Sequence, residues 1–355
     1  MKRRVDLDNL LSLITRIALG VIFTSVLSAC RGQQSALDPV GPQASKISTL
    51  FWFFFWVMSA IWIAVMLVMI IAIRRGRQKR VIAESQAMQP EVESNPQDER
   101  KLTRAVTIAS AITVAILFII LILDFWVGRG LTSLAQQDRV FIELTGHQWW
   151  WSVRYPDELS SRIVETANEI HIPVGKPVQI TLRSHDVNHS FWVPNLHGKK
   201  DLIPDMDNST WLKADKPGIY RGQCAEFCGY QHANMALFIV AEPEDKYNQW
   251  LDQQRQSAAI PNTPELIRGQ QVFLNAPCVM CHTIRGTSAA SRLGPDLTHL
   301  ASRVSLAAGS IPNTRTHLAG WVTYSQQIKP GNRMPPVPLA SEDLQALLSY
   351  LESLK

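Results

Sequence analysis

Hydrophobic positions along the chain change their spacing several times, and each change predicts a different kind of element. An apolar run from Ile17 to Leu27 follows Lys2, Arg3 and Arg4 and ends in Leu27-Ser28-Ala29-Cys30. A basic start, a short apolar core and small residues at its end form a cleavable export signal rather than a spanning helix. Residues 1–29 are therefore expected to be a signal peptide, and the polar, Pro/Gly-containing stretch 30–46 a tether. Ile47 to Ile73 contains no charged residue and is crowded with Phe, Trp, Ile, Val and Met. Ala105 to Leu123 is a second uncharged run. Each is long enough to cross a bilayer as a helix.

Arg74, Arg75, Arg77, Lys79 and Arg80 follow the first run at once, and Arg100, Lys101 and Arg104 precede the second. Both basic clusters fall in one loop, 74–104, which the positive-inside rule places in the cytoplasm. Residues 47–127 thus read as a transmembrane helical hairpin with both ends outside. The export signal independently places the mature N-terminus on that same side.

From Arg139 the spacing becomes two. Val140, Ile142 and Leu144 alternate with polar residues, as do Ile170 with Ile172 and then Val178, Ile180 and Leu182. Such alternation predicts half-buried strands, and Pro173 to Pro177 is turn material between two of them. Residues 138–243 are expected to form a small antiparallel sandwich or barrel. The Gln-rich polar stretch 244–262 reads as a helix end or linker. Beyond it the spacing turns helical. Leu344, Leu347, Leu348 and Leu351 share one face of the last segment, and Ser341, Glu342 and Asp343 mark its start. Residues 263–355 read as a separate helical module.

Composition narrows the picture in two ways. The formal net charge of +5 over 355 residues comes with no long basic stripe carrying interleaved aromatics, so nucleic acid is not an expected partner. Gly and Pro contents of 18 and 20 are ordinary and exclude collagen-like or bulk-disordered readings. The five cysteines are more informative, because an odd number cannot be absorbed by a simple disulfide framework. They are Cys30, Cys224, Cys228, Cys278 and Cys281.

Cys224-Ala-Glu-Phe-Cys228-Gly-Tyr-Gln-His232-Ala-Asn-Met235 packs two thiols, an imidazole and a thioether into one turn-sized segment. That is the donor set copper prefers, above all when it cycles through Cu(I). His189, in Asp186-Val-Asn-His189-Ser-Phe-Trp192, is the natural source of a second imidazole. Two cysteines four apart can each bridge two metal ions and so spread one electron over both. Zinc and a Cys224–Cys228 disulfide are the alternatives. The Met and the spacing argue against structural zinc, and a disulfide accounts for neither His232 nor Met235.

Together with Gly146-His-Gln-Trp149-Trp-Trp151, these segments closely resemble the CuA region of cytochrome c oxidase subunit II, and the hairpin followed by a β-domain resembles it too. The likeness spans roughly residues 47–243. It implies a cupredoxin-like Greek-key β-barrel. It also implies Cys224 and Cys228 as bridging ligands, His189 and His232 as one ligand each, and Met235 with the Glu226 carbonyl as weak axial ligands. By the same resemblance the Glu226 carboxylate reaches a Mg or Mn ion shared with subunit I, and Trp149 is the aromatic residue through which electrons arrive. Two positions depart from the family. Thr103 stands where a glutamate linked to proton uptake is common, and Asp205 stands where Gly often follows Pro204. Leu27-Ser-Ala-Cys30 resembles the lipobox of bacterial lipoproteins, which implies acylation at Cys30.

Cys278-Val-Met-Cys281-His282 is a C-x-x-C-H run, the attachment pattern of c-type haem. Both thiols add to the porphyrin vinyl groups and the next histidine is then held under the iron. A thioredoxin-like pair or a zinc half-site would leave His282 unexplained. Gly294-Pro295-Asp-Leu297 and Gly331-Asn-Arg-Met334-Pro-Pro336 resemble class I cytochrome c domains. That likeness implies an all-α fold, Met334 as the second axial ligand and a Pro295 carbonyl orienting His282. The remaining histidines, His147, His171, His185, His197, His299 and His317, sit among polar or turn residues and read as structural or surface groups.

The combined resemblance implies subunit II of a bacterial respiratory oxidase with a cytochrome c domain fused to its C-terminal side. It would pass electrons from an external donor, such as a soluble cytochrome or a quinol–cytochrome c reductase, through haem and copper to subunit I. Oxygen reduction coupled to proton translocation would occur there, with subunit III as a further neighbour, in the bacterial inner membrane. A structural subunit of a quinol oxidase, a free-standing membrane-anchored carrier and a nitric oxide-reducing partner remain alternatives.

Overall fold

The computed structural model describes residues 32–85, 96–132 and 139–355. The expected export signal, Cys30 and the middle of the loop between the two apolar runs lie outside the described residues. The chain divides into two compact units, Lys46–Ser133 and the rest.

The first unit holds two long helices, α1 (Pro42–Ser85), whose first four residues belong to the other unit, and α2 (Pro96–Thr132). Each extends beyond the uncharged run that predicts it, because the flanking charged and polar residues are themselves good helix formers. Trp56, Trp62, Val68, Phe118, Leu121 and Trp126 are 61% to 67% exposed. Side chains of this size left uncovered on every face need an apolar solvent. Thr107 and Thr113 donate their hydroxyls to the carbonyls of Thr103 and Ala109 one turn back, so these polar groups ask nothing of the surroundings. Both helices are long and apolar enough to cross a membrane.

The second unit begins with a β-sandwich. One sheet has the order β3-β2-β1-β5-β8 and the other β4-β10-β9-β6-β7. The strands of the first are β1 (Val140–His147), β2 (Trp150–Tyr155), β3 (Val164–Ala167), β5 (Val178–Ser184) and β8 (Asn208–Leu212). Those of the second are β4 (Glu169–Pro173), β6 (His189–Trp192), β7 (Lys200–Leu202), β9 (Gly218–Cys224) and β10 (Ala236–Glu242). The all-antiparallel expectation needs correction: β1 pairs with β5, and β4 with β10, in parallel. Alternation tells which side chains face inward but not which way the neighbouring strand runs. The chain switches sheets between the partners of both pairs, which allows them to run in one direction. Inward residues of both sheets, including Ile142, Leu144, Trp151, Ile170, Ile180, Leu182 and Phe191, form one core.

Two flanking segments add to this domain. The stretch expected as a tether is strapped along it: Val40 N donates to the Asn195 carbonyl, Asp215 N to Val40, and Arg221 N to Gln33. The stretch expected as a linker contains helix α3 (Glu244–Gln254). Its Tyr247 enters the sandwich core, and Trp250 stacks on His171 with centroids 4.0 Å apart.

The C-terminal helical part has its own core around Phe273, Leu318, Leu347 and Tyr350. It is built from α4 (Pro264–Asn275), α5 (Arg315–Ile328) and α6 (Ser341–Ser353). The hydroxyls of Thr263 and Thr314 cap the first two. Helices α4 and α6 cross at Gly269, where an added Cβ would meet the Ala346 carbonyl oxygen at 2.1 Å. Only a bare Cα permits that approach.

The sandwich and the helical part share an interface. Ala236 N bonds to the Ala308 carbonyl at 2.9 Å, Val304 N donates to Glu169 Oε1 at 2.5 Å, and Arg292 pairs with Glu165 at 3.4 Å. Gln231 Nε2 donates to the Pro330 carbonyl at 2.7 Å.

Candidate metal and haem centres

Strands β9 and β10 are antiparallel neighbours, with Gln223 opposite Ala236. Residues 225–235 therefore form the loop of a hairpin, closed at its base by a 2.8 Å bond from Cys224 N to the Met235 carbonyl. On the other side of β9, β6 pairs with Phe191 opposite Cys224. That register brings His189 to the same end of the sheet.

The result is a compact donor cluster. The sulfurs of Cys224 and Cys228 stand 3.8 Å apart, well beyond an S–S bond of about 2.05 Å. His189 Nδ1 lies 3.8 Å from the Cys224 sulfur, and His232 Nδ1 lies 3.6 Å from that of Cys228. Met235 Sδ is 3.8 Å from Cys228 Sγ, and the Glu226 carbonyl is 3.2 Å from Cys224 Sγ. His189, Cys224, Cys228 and Met235 are all buried. Each thiol thus faces one imidazole, with a thioether and a carbonyl at the flanks. Two soft sulfurs, each with its own nitrogen donor, fit copper better than zinc or a hard cation.

The electrostatics point the same way. The Cys228 thiol, His189 and nearby backbone groups draw the Cys224 pKa down to about 4 despite burial. The thiolate beside it pushes Cys228 far up. The pair gives up its first proton readily and keeps its second, so a cation is what allows both to be thiolates.

Asp186 sets the orientation of His189. Its carboxylate accepts from His189 Nε2 at 2.9 Å and from Gln148 N at 2.8 Å. Burial alone would raise the Asp186 carboxyl, but these bonds outweigh it and hold the group below its usual value. With Nε2 occupied as donor, Nδ1 is the atom left to ligate. Gly146 makes room for the ring, since an added Cβ would lie 2.8 Å from His189 Cδ2.

Of the three consecutive tryptophans, Trp151 is core and Trp150 stacks on His147 at 4.4 Å. Trp149 reaches the copper loop, its Nε1 donating to the Cys228 carbonyl at 2.9 Å. Gln148 Nε2 donates to the same oxygen. Glu226 keeps its carboxylate partly exposed, 3.8 Å from Lys199. Asp205, the departure from the family's glycine, has φ of +59°. Aspartate is one of the few residues that visits that left-handed region readily.

The second centre surrounds a cavity of about 400 Å³. Cys278 lies on the short turn Pro277–Met280, with Cys281 next to it, and both line the cavity together with His282 and Met334. His282 Nδ1 donates to the Pro295 carbonyl at 2.7 Å, leaving Nε2 as its ligating atom. Gly294 lets the ring lie flat against the backbone, since an added Cβ would be 2.9 Å from His282 Cε1. Asn332, Gln326 and Ser325 hold the Met334 loop: Asn332 Oδ1 accepts from Met334 N, and the other two donate to its carbonyl. The remaining lining is mostly apolar, with Leu297, Leu318, Val322 and Val337. Two thiols, an oriented imidazole and a fixed thioether around an apolar cleft fit a covalent haem.

This cavity is not lined by helical residues alone. His147, Gln148, Trp149, Trp150 and His185 from the sandwich form part of its wall. Sequence patterning assigns His147 and His185 only structural roles; nothing local marks residues that will face a cavity built about 90 to 130 positions later.

Residues 158–242 match the family model of the cytochrome c oxidase subunit II periplasmic domain, and residues 266–355 match that of cytochrome c. The chain is 34% identical to cytochrome c oxidase subunit 2 of Alkalihalophilus pseudofirmus over 341 residues, 94% of each chain. It is 30% identical to the Bacillus sp. PS3 subunit 2 over 62% of this chain and 63% of that one. Among solved structures, the periplasmic domain of subunit II from Bradyrhizobium japonicum is 33% identical. It matches 33% of this chain and 93% of its own, with a TM-score of 0.31.

Fold and comparisons define a membrane-anchored electron-transfer protein in which a cupredoxin-like domain precedes a cytochrome c domain. The chain belongs to the cytochrome c oxidase subunit II family, in the form that carries a cytochrome c domain at its C-terminal side.

Proposed function

We propose that this chain is the electron-accepting subunit of a bacterial respiratory oxidase, holding a dinuclear CuA centre and one covalent haem c. The observation that carries the reading is the pairing of each buried thiol with its own imidazole across a 3.8 Å sulfur–sulfur gap. When bound, the copper pair and the haem each accept and release one electron.

The chain's own residues divide the work of holding them. Cys224, Cys228, His189 and His232 would hold the two coppers, with Met235 and the Glu226 carbonyl as weaker donors at the flanks. Asp186 fixes the tautomer of His189. Cys278 and Cys281 would anchor the haem, His282 and Met334 would supply its iron with ligands, and the Pro295 carbonyl fixes the imidazole. Trp149 stands between the two centres. The donors His189, Cys224, Cys228 and Met235 are buried, while the half-buried His282 and the Met334 loop are held by backbone hydrogen bonds; ligands kept in place as charge changes favour electron transfer over ligand exchange.

The surrounding assembly belongs to the same proposal. Electrons arrive at haem from an external donor, such as a soluble cytochrome or a quinol–cytochrome c reductase. They leave the copper centre for haem in subunit I, where oxygen is reduced and protons are translocated, with subunit III alongside. The partly exposed Glu226 carboxylate contributes to a Mg or Mn site shared with subunit I. Residues 1–29 are the export signal, Cys30 is lipidated, and the hairpin 47–127 crosses the inner membrane with loop 74–104 in the cytoplasm. Residues 138–243 and 263–355 form the copper and haem domains on the outer face.

Purification in mild detergent with metal and haem analysis tests this. Two coppers and one covalent haem per chain, a mixed-valence copper EPR signal and a co-purifying haem-containing subunit I are expected. Properly matured protein without copper, or without subunit I, would overturn it.

A further inference from the structure

Lys329 is fully enclosed, at 2% exposure, in a chain whose other lysines and arginines mostly reach solvent. It follows the last residue of α5 and precedes Pro330-Gly331, five positions ahead of Met334. Its Nζ donates to three backbone carbonyls: Trp149 at 2.8 Å, Asn234 at 2.7 Å and Ala307 at 2.9 Å. An ammonium has three N–H groups and a neutral amine only two, so three acceptors match the charged form. Burial opposes that charge and pulls the group from 10.5 down to about 7; the carbonyls replace the water it has lost.

The placement of the acceptors is the informative part. Ala307 lies in the haem domain with Lys329, but Trp149 and Asn234 lie in the copper domain, Trp149 bonded to the copper loop and Asn234 within it. Gln231 adds a parallel bond to Pro330. Gly331, with φ of +79°, runs along Trp149, and a Cβ on it would sit 3.8 Å from the indole. The loop that presents Met334 is therefore held against the same tryptophan whose Nε1 bonds to Cys228.

We propose that Lys329 is a positioning residue that locks the haem domain onto the copper domain, so that Trp149 serves as an internal bridge between the two centres of one chain rather than as a landing surface for a diffusing carrier. The proposal rests on the cofactor assignment above. The transfer concerned moves one electron from ferrous haem to the oxidised copper pair, with no bond made or broken and no proton moved. The external donor must then reach the haem from a face of the helical domain other than the one covered by residues 147–150.

The test uses the whole oxidase. A protease site is introduced at Ile260, which is 91% exposed, and the cleaved complex is run on a sizing column. With Lys329 intact, the haem fragment is expected to stay with the complex. With Lys329→Met, of similar length but unable to donate, it is expected to separate. In uncleaved Lys329→Met, electron transfer from haem c to copper after a light-driven reductant pulse should slow by roughly tenfold or more, with the haem absorption bands and the copper EPR signal unchanged. If Lys329→Met does not retain haem, Lys329→Gln is read in the same two ways. A fragment that stays bound in the variant, or that leaves even with Lys329 intact, overturns the proposal. So does slowed transfer that appears only with altered haem bands, because Lys329 would then act inside its own domain. Retention of the fragment is read without reference to copper, so loss of the cofactor assignment and loss of the lock are distinguishable.

Discussion

The indole Nε1 of Trp149 donates to the backbone carbonyl of Cys228 at 2.9 Å, and this single bond ties the sandwich edge to a copper-loop cysteine. Gln148 shares the acceptor, and Gly229, at φ of +106°, leaves the space in which both donors sit. Trp149→Phe keeps an aromatic ring and removes the donor. Transfer into copper should slow by roughly tenfold, equivalent to about 1.4 kcal/mol at the barrier, with the copper EPR signal retained. Unchanged transfer on rapid mixing would show that the bond has no part in it.

Removing a bridging sulfur should separate the two centres. Cys224→Ala is expected to lose the copper EPR signal while the haem bands remain, because no haem contact passes through Cys224. Chelating copper from the native protein should likewise lower the unfolding temperature. A metal present at a hundred times its dissociation constant contributes about 2.7 kcal/mol. Loss of haem bands in parallel with copper would contradict the independence of the sites.

His171 provides a pH dependence remote from both centres. It lies between Glu242, at 3.1 Å, and Glu169, at 3.9 Å, and stacks on Trp250. Burial lowers its pKa, but bonds to Glu169 and Glu242 outweigh that and raise it above 6.5. The folded state therefore holds this proton more tightly than the unfolded chain does. The contribution is fully present below about pH 6.5 and is lost as pH rises through the higher folded value. His171→Gln should cost roughly 1.5–3 kcal/mol at pH 6 and progressively less at pH 8 to 9. Thermal unfolding of both proteins across that range is the check; equal losses at both ends would refute it.

At the crossing of α4 and α6, Gly269→Ala places a methyl against the Ala346 carbonyl and the Tyr350 Cβ, the latter 2.6 Å away. The helices must separate, at a cost of about 1–3 kcal/mol. Easier haem-domain unfolding, followed by the haem bands, is expected, with the copper signal unaffected. An unaltered midpoint would mean that the helices yield without cost.

The grouping of the candidate donors was legible in the sequence because most of it is local. Cys224, Cys228, His232 and Met235 fall on one hairpin loop, and Cys278, Cys281 and His282 on one turn, so donor type and spacing already specify what each segment can hold. His189 could be named as a candidate second imidazole, but the β6–β9 register that delivers it is a long-range pairing that no local pattern shows. Strand direction was not legible, because Ile142 and Ile180 alternate identically whether β1 and β5 run parallel or not. Nor was the polar 244–262 stretch recognisable as packed, as Tyr247 and Trp250 are two aromatics among glutamines. Lys329 carried no signal at all: its acceptors are carbonyls, which every residue has, up to 180 positions away.

The cavity beside Cys278 and Cys281 has walls from two domains. It is complete only when the two halves are together. Parting them would uncover the side formed by His147, Trp149 and Trp150, so whatever fills the cavity is enclosed by the contact between the domains as much as by either domain alone.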